Sequence, residues 1–215
     1  MLEQYINELA REFELTEVDE GEFSSFKMKG MAFEAKAYDV KGLGRVSLME
    51  AKMPLGIMEM DSLIINPFEK DVPLFSIDRM KMLGKPLLYI DIYDTLLGKD
   101  RKEEEFFEIS KQYEDIRNAR SETKDWCRDI RYSSIVAKRG RKKDCERLNT
   151  LMDSYFDVYL QQCIDAKDCD RQEKKKKADA YRDGLLAGGG VAADNFIKDW
   201  GKEKTEAFFR EVLFG

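Results

Sequence analysis

The sequence predicts an α+β fold, a three-layer α/β/α sandwich around a single antiparallel β-sheet. Three observations carry that prediction. Apolar residues alternate with period two mainly between residues 25 and 97. They recur at helical spacing mainly in 1–14 and 101–214. No internal repeat or linker divides the 215 residues, so one domain spanning 1–215 is expected.

Leu2, Tyr5, Ile6, Leu9 and Phe13 lie at the spacing of an amphipathic helix. The period then changes. Phe33, Ala35 and Ala37 alternate with Glu34, Lys36 and Tyr38, and Val46 and Leu48 alternate with Ser47 and Met49. Further strand-like runs cover 57–66, 72–82 and 85–97, separated by Pro67, Pro73, Gly84 and Pro86. Connections this short join antiparallel neighbours, because parallel pairing requires a long crossover. From residue 101 the helical period returns at Phe106, Phe107, Ile109, Tyr113 and Ile116, then at Leu148, Leu151, Met152, Tyr155, Phe156, Tyr159 and Cys163, and last at Ala207, Phe208, Val212 and Leu213. Helices on both sides of the sheet in sequence favour a sheet covered on both faces.

Composition narrows the chemistry. Hydrophobic residues make up 43% and aromatics 11%, enough for a real core. A net charge of -6 disfavours nucleic acid as the main partner. There is no histidine, which removes the usual base near neutral pH and most zinc and haem sites, so no metal is expected. Proton chemistry then falls to carboxylates, Lys, Tyr, Cys or water. Cys127, Cys145, Cys163 and Cys169 form no CxxC pair and read as scattered thiols. No apolar run is long enough to span a membrane, and a cytoplasmic protein with no membrane partner is expected.

Two basic runs interrupt the acidic background: Lys138, Arg139, Arg141, Lys142 and Lys143, and Lys174, Lys175, Lys176 and Lys177. They read either as solvated helix ends or loops, or as a docking patch for an acidic protein.

The pattern breaks where strands carry carboxylates. Glu59 and Asp61 share a strand face with Ile57, Leu63 and Ile65, while Asp78, Asp91 and Glu50 sit in otherwise apolar runs. A buried carboxylate is costly unless paired or protonated. Two readings follow: acids at wet strand ends or paired with Arg45, Arg79 or Lys81, or a cavity lined by carboxylates with raised pKa that donate protons.

Several of these segments resemble the ferredoxin-dependent bilin reductases, a family related to the red chlorophyll catabolite reductases of plants. Arg45-Val46-Ser47-Leu48-Met49-Glu50 is similar to a family strand bearing an Arg and, five positions on, a Glu. Met60-Asp61-Ser62 followed by Pro67 is similar to the next strand, and Asp71-Val72-Pro73-Leu74-Phe75-Ser76-Ile77-Asp78 resembles the family's D-x-P-x-F/Y-G-x-D segment. Asp91 stands where the following strand has an Asp, and Trp200-Gly201 and Val212-Leu213-Phe214 resemble the C-terminal signature. The resemblance covers about residues 30–97 and 196–214.

It implies the same sandwich fold and an oxidoreductase that reduces a linear tetrapyrrole such as biliverdin by sequential electron and proton transfers. Electrons would come from reduced ferredoxin or flavodoxin, with no bound cofactor. Asp78 would be the proton donor, with Asp61 and Glu50 as further catalytic acids. Arg45, Ser62, Phe75, Ser76 and Asp91 would contact substrate, and the two basic runs would dock the carrier. The chain departs from the family at Ser76, which replaces a Gly, and at Ala187-Gly188-Gly189-Gly190, where a second acid or amide is usual. Those departures keep in view a tetrapyrrole-binding protein without catalysis, and the basic runs, if the sheet acids are merely exposed, an interaction scaffold without ligand.

Overall fold

Alternating apolar residues with short turns between them produce a continuous antiparallel meander. The computed structural model describes residues 2–121 and 123–215. Helix α1 (Glu3–Glu12) is followed by β1 (Leu15–Glu17), β2 (Ser25–Met28), β3 (Met31–Val40), β4 (Gly44–Lys52), β5 (Met58–Pro67), β6 (Leu74–Met82) and β7 (Lys85–Tyr93). Then come α2 (Glu104–Lys111), β8 (Val136–Arg139), α3 (Cys145–Asp165), α4 (Arg171–Gly188), α5 (Val191–Trp200), α6 (Lys202–Phe208) and a π-turn at Phe209–Leu213. The eight strands form one sheet in the order β1-β3-β4-β5-β6-β7-β8, with β2 also paired to β3, and every pairing is antiparallel.

Period-two alternation sends odd-numbered residues of β5 and β6 to one face and even-numbered residues to the other. Leu63, Ile65, Phe75 and Ile77 meet α1, α2 and α3, where Tyr5 stacks on Phe156 at 4.1 Å and Phe75 on Tyr159 at 4.4 Å. Burying each such side chain contributes about 1.5–3 kcal/mol. The second face is covered by α4, α5, α6 and the π-turn, through Phe196, Phe208, Phe209, Val212 and Leu213 packed on Phe33, Ala35, Ala37 and Met49. The expected α/β/α sandwich is the observed architecture.

The sheet is wider than the alternating stretch. β8 adds a strand beside β7, pairing Leu87 with Arg139 and Ile90 with Val136. The period-two signal of Val136–Arg139 is only four residues long and lies inside a charged stretch, so the helical reading of 101–214 passes over it.

The C-terminal turn is fastened by side chains of the sheet. Arg45 donates to the Glu211 carbonyl at 2.6 Å, Ser47 to Leu213 at 3.1 Å and Asn66 to Phe214 at 2.7 Å. These bonds satisfy carbonyls that the end of a helical turn leaves without intrahelical partners. Val212-Leu213-Phe214 therefore has a structural role, and so does Arg45. Its guanidinium is buried beneath the turn and paired with Asp39, which corrects its expected place in a substrate pocket.

Candidate functional site

Where the helices of the second face end, β5, β6 and β7 leave part of the sheet half-open. Even-numbered residues of β5 and β6 and odd-numbered residues of β7 line it, set by the registers Ser62 to Asp78 to Tyr89 and Ile64 to Ser76 to Asp91. One row further, Met60 stands beside Met80 and Met80 beside Leu87. Met60, Ile64 and Tyr93 still touch the apolar cluster beneath α4 to α6. Ser76, Asp78, Met80 and Tyr89 are only half-buried.

Asp78 sits at the centre of this surface. Ser62 donates its hydroxyl to Asp78 Oδ1 at 2.6 Å. Burial pushes the carboxyl up to about 6, the Asp91 carboxylate pushes the same way, and the Ser62 bond opposes them. At pH 7 an acid with that pKa is protonated about one-tenth of the time, far more than an ordinary carboxyl, and it can release that proton at little cost. Asp91 is handled differently. Burial raises its pKa, but Arg131 counters through two bonds to Oδ1, from Nε at 2.8 Å and Nη2 at 2.5 Å. Two carboxyls on one surface are thereby separated in character, one with no cationic partner within ion-pair distance among the described residues and one paired with a guanidinium.

The segment between α2 and β8 supplies this cation and shapes the site's flank. Arg131 also bonds Thr123 Oγ1 at 2.6 Å and Ser121 Oγ at 2.9 Å, and Tyr89 donates to the Arg120 carbonyl at 3.1 Å. Trp126 anchors the segment to α4. Its indole donates to the Gly189 carbonyl at 3.0 Å and its ring lies against Tyr181 at 5.4 Å, which in turn contacts Tyr93 at 4.5 Å. A Cβ on Gly184 would come within 2.7 Å of the indole, and one on Gly188 closer still. Gly184 and Gly188, one helical turn apart, form a notch for Trp126, so the glycine tract has a packing reason. Arg131 and Trp126 escape the sequence reading, since their stretch after Ile116 shows no period, and Tyr89, Tyr93 and Tyr181 lie in a strand and a helix without any mark of a site.

The other expected site residues divide by face. Ser62, Ser76, Asp78 and Asp91 come together. Glu50 and Asp61 are directly opposite each other in register, but on the far face with Leu48, Leu63 and Ile77. Asp61 is buried there in an ion pair with Arg79 at 2.8 Å, and Glu50 contacts Lys52 at 3.1 Å. The sheet separates both from Asp78, which corrects their expected part in the same pocket. Phe75 is likewise on the far face, stacked on Tyr159. Asp61→Asn is expected to lower stability by about 1–3 kcal/mol, from a weakened buried pair. Chemical denaturation measures that loss, and chemistry at the Asp78 face should keep its pH profile.

The basic runs also change meaning. Lys138 is buried in β8, donating to the Ile116 carbonyl at 3.2 Å and to Asn118 at 2.9 Å. Lys174 is fully buried, donating at 2.7 Å to the carbonyls of both Val72 and Thr95. Desolvation lowers its pKa to about 8. It clamps α4 to the opposite end of the sheet from Arg139–Lys143, so the runs cannot make one patch. Lys175 and Lys177 partly serve the same end, bonding the Gly215 and Leu96 carbonyls. Arg139, Arg141, Lys142 and Lys143 remain exposed.

Two clefts lie elsewhere. One of about 310 Å³ runs between β8 and residues such as Ser110, Glu114 and Asn118. Another of about 250 Å³ is bordered by Asp71, Tyr132 and Lys167. Neither contains Asp78. The half-buried sheet face is partly apolar and carries the two carboxyls, a combination that neither cleft has.

No protein-family model matches the sequence, and no curated protein matches it. In structure the chain is similar to tomato phytochromobilin synthase in complex with biliverdin, a selenomethionine crystal structure. The TM-score is 0.77 at 10% identity, over 96% of this chain and 79% of that one. The α/β/α sandwich around one antiparallel sheet is therefore a fold this chain shares with a biliverdin-bound protein.

Proposed function

We propose that this protein binds a linear tetrapyrrole on the half-open face of β5, β6 and β7 and reduces it, with Asp78 supplying protons. The observation that carries the reading is Asp78 itself. It is a carboxyl with its pKa raised to about 6, oriented by Ser62 on a sheet face that it shares with Met60, Ile64, Met80 and Leu87. The fold shared with biliverdin-bound phytochromobilin synthase supports the same choice of ligand.

In this reading Met60, Ile64, Met80 and Leu87 offer apolar contact to the pyrrole rings. Methionine's flexible, polarisable side chain suits such a contact. A reduced ferredoxin or flavodoxin delivers one electron at a time, and each electron makes the conjugated system more basic. The Asp78 hydroxyl then passes its proton to the ligand while Ser62 stabilises the carboxylate left behind. Asp91 stays paired with Arg131 and acts through its charge, raising the pKa of Asp78. Ser76, between Asp78 and Asp91 on the same face, is placed to hydrogen-bond the ligand.

The test is an anaerobic assay of biliverdin with reduced ferredoxin, followed by visible absorption and chromatography of the product. Loss of biliverdin absorption with a new reduced bilin supports catalysis. A shifted spectrum without turnover would reassign the protein as a tetrapyrrole carrier.

A further inference from the structure

The described residues include seven large hydrophobic side chains that are strongly exposed, and four of them gather at one end of the sheet. Leu55 is 97% exposed, Leu83 68%, Met82 53% and Ile57 43%. They occupy the tips joining β4 to β5 and β6 to β7. The tips are tied together, since the Leu83 amide donates to the Ile57 carbonyl at 2.9 Å and Met58 is paired with Met82.

Both leucines have left-handed backbone, with φ of 62° at Leu55 and 51° at Leu83. Glycine or asparagine adopts that conformation far more readily. The chain thus combines an unfavourable backbone with an exposed apolar side chain, twice, at adjacent tips. Folding explains neither choice.

The charges around the tips are ordered. Segments 52–59, 81–85 and 139–143 hold seven cations (Lys52, Lys81, Lys85, Arg139, Arg141, Lys142, Lys143) and one acid, Glu59, in a chain of net charge -6; Lys52 is paired with Glu50 at 3.1 Å and Arg141 with Asp144 at 3.3 Å, which leaves an excess of cations behind the tips. Lys81 and Lys85 stand two residues behind Leu83 on its two strands, which places them about 7 Å from the tip. Lys142 extends over Gly84 between them. Leucine therefore projects furthest, with Lys and Arg set behind it.

From this layering we infer that the end of the sheet formed by the two leucine tips is a contact surface for an anionic lipid membrane. The order of groups matches the order in a bilayer. The leucines enter the boundary of the acyl chains while the cations reach the phosphates, their flexible stems lying along the apolar layer. An acidic protein would also attract the cations. It would more usually be met by an apolar centre within a flat, charged rim, whereas here the apolar groups sit on convex tips. No helix among the described residues is long and apolar enough to cross a membrane. The expectation of no membrane partner rested on that same missing run, and two tips distant in sequence do not register in it.

The test is co-sedimentation of the protein with vesicles of equal parts phosphatidylserine and phosphatidylcholine, beside vesicles of phosphatidylcholine alone. The wild type should partition onto the anionic vesicles, and less so as salt is raised. The double variant Leu55→Asn, Leu83→Asn should partition about tenfold more weakly. Its thermal midpoint should not fall, because asparagine suits both backbone positions. Lys142→Glu with Lys143→Glu should weaken binding and flatten its salt dependence. Wild type left in the supernatant, or an asparagine variant that sediments as well as wild type, would overturn the proposal. Tip substitutions that change only the affinity for an acidic carrier protein would assign the surface to that partner instead.

Discussion

Asp78→Asn should abolish reduction of the bilin while making the protein more stable at neutral pH. The loss of turnover should reach about 10²- to 10⁴-fold, the range that a well-placed proton donor contributes. Bilin affinity should change little, because the amide keeps the size and polarity of the acid. The stability gain follows from the same raised pKa. A carboxyl whose folded pKa lies above its unfolded value stabilises the fold fully below the unfolded value. That contribution is lost as pH rises through the folded one, here between about 4 and about 6. At pH 7 the ionised Asp78 therefore costs roughly 1–3 kcal/mol, a cost the neutral amide does not carry. Denaturation at pH 7 and at pH 4 would measure this, with the variant's advantage present at pH 7 and much reduced at pH 4. A variant that loses stability at pH 7 would mark Asp78 as an ordinary structural acid. In the wild type the rate should decline as pH rises above about 6, where the donor loses its proton.

Gly188→Val should cost several kcal/mol and release Trp126 from α4. The new side chain would occupy the space of the indole, because a Cβ at Gly188 already meets three atoms of the ring within 3.0 Å, so the ring must leave. Overpacking of this kind costs about 1–3 kcal/mol, and the half-buried indole loses its bond to the Gly189 carbonyl as well. The effect should extend to chemistry, since the segment freed carries Arg131. With Arg131 loosened from Asp91, the two carboxyls would compete for protons, and the pH profile should broaden or shift upward. Tryptophan fluorescence reports the ring's release and the rate profile reports the carboxyls. A variant with native fluorescence and native profile would remove Trp126 from this account.

The fold was legible because its signals are local. Alternation at 33–38 and 85–93, and the helical spacing of Leu148 to Cys163, each appear within one window of sequence. The site was legible only in part, because a site depends on register. Asp61 and Asp78 look alike as acids in apolar strands, yet the pairing of Ser62 with Asp78 places them on opposite faces. A shift of one residue would reverse that, and the sequence between β5 and β6 does not determine it. Lys174 was open to a closer reading. It lies four residues before Ala178 and seven before Tyr181, on the stripe that α4 buries, so its place in the helix marks it as inward-facing. Arg131 and Trp126 had no such marker. Their segment has no period, and their partners Asp91 and Gly188 are far away in sequence.

The account is tested most directly by the visible spectrum of biliverdin mixed with the pure protein and titrated from pH 5 to pH 8. A ligand held on the Asp78 face should change its spectrum on binding. That change should itself titrate near pH 6 in the wild type, and Asp78→Asn should bind without the titration. A biliverdin spectrum unchanged by the protein at every pH would contradict the assignment of this face as a tetrapyrrole site.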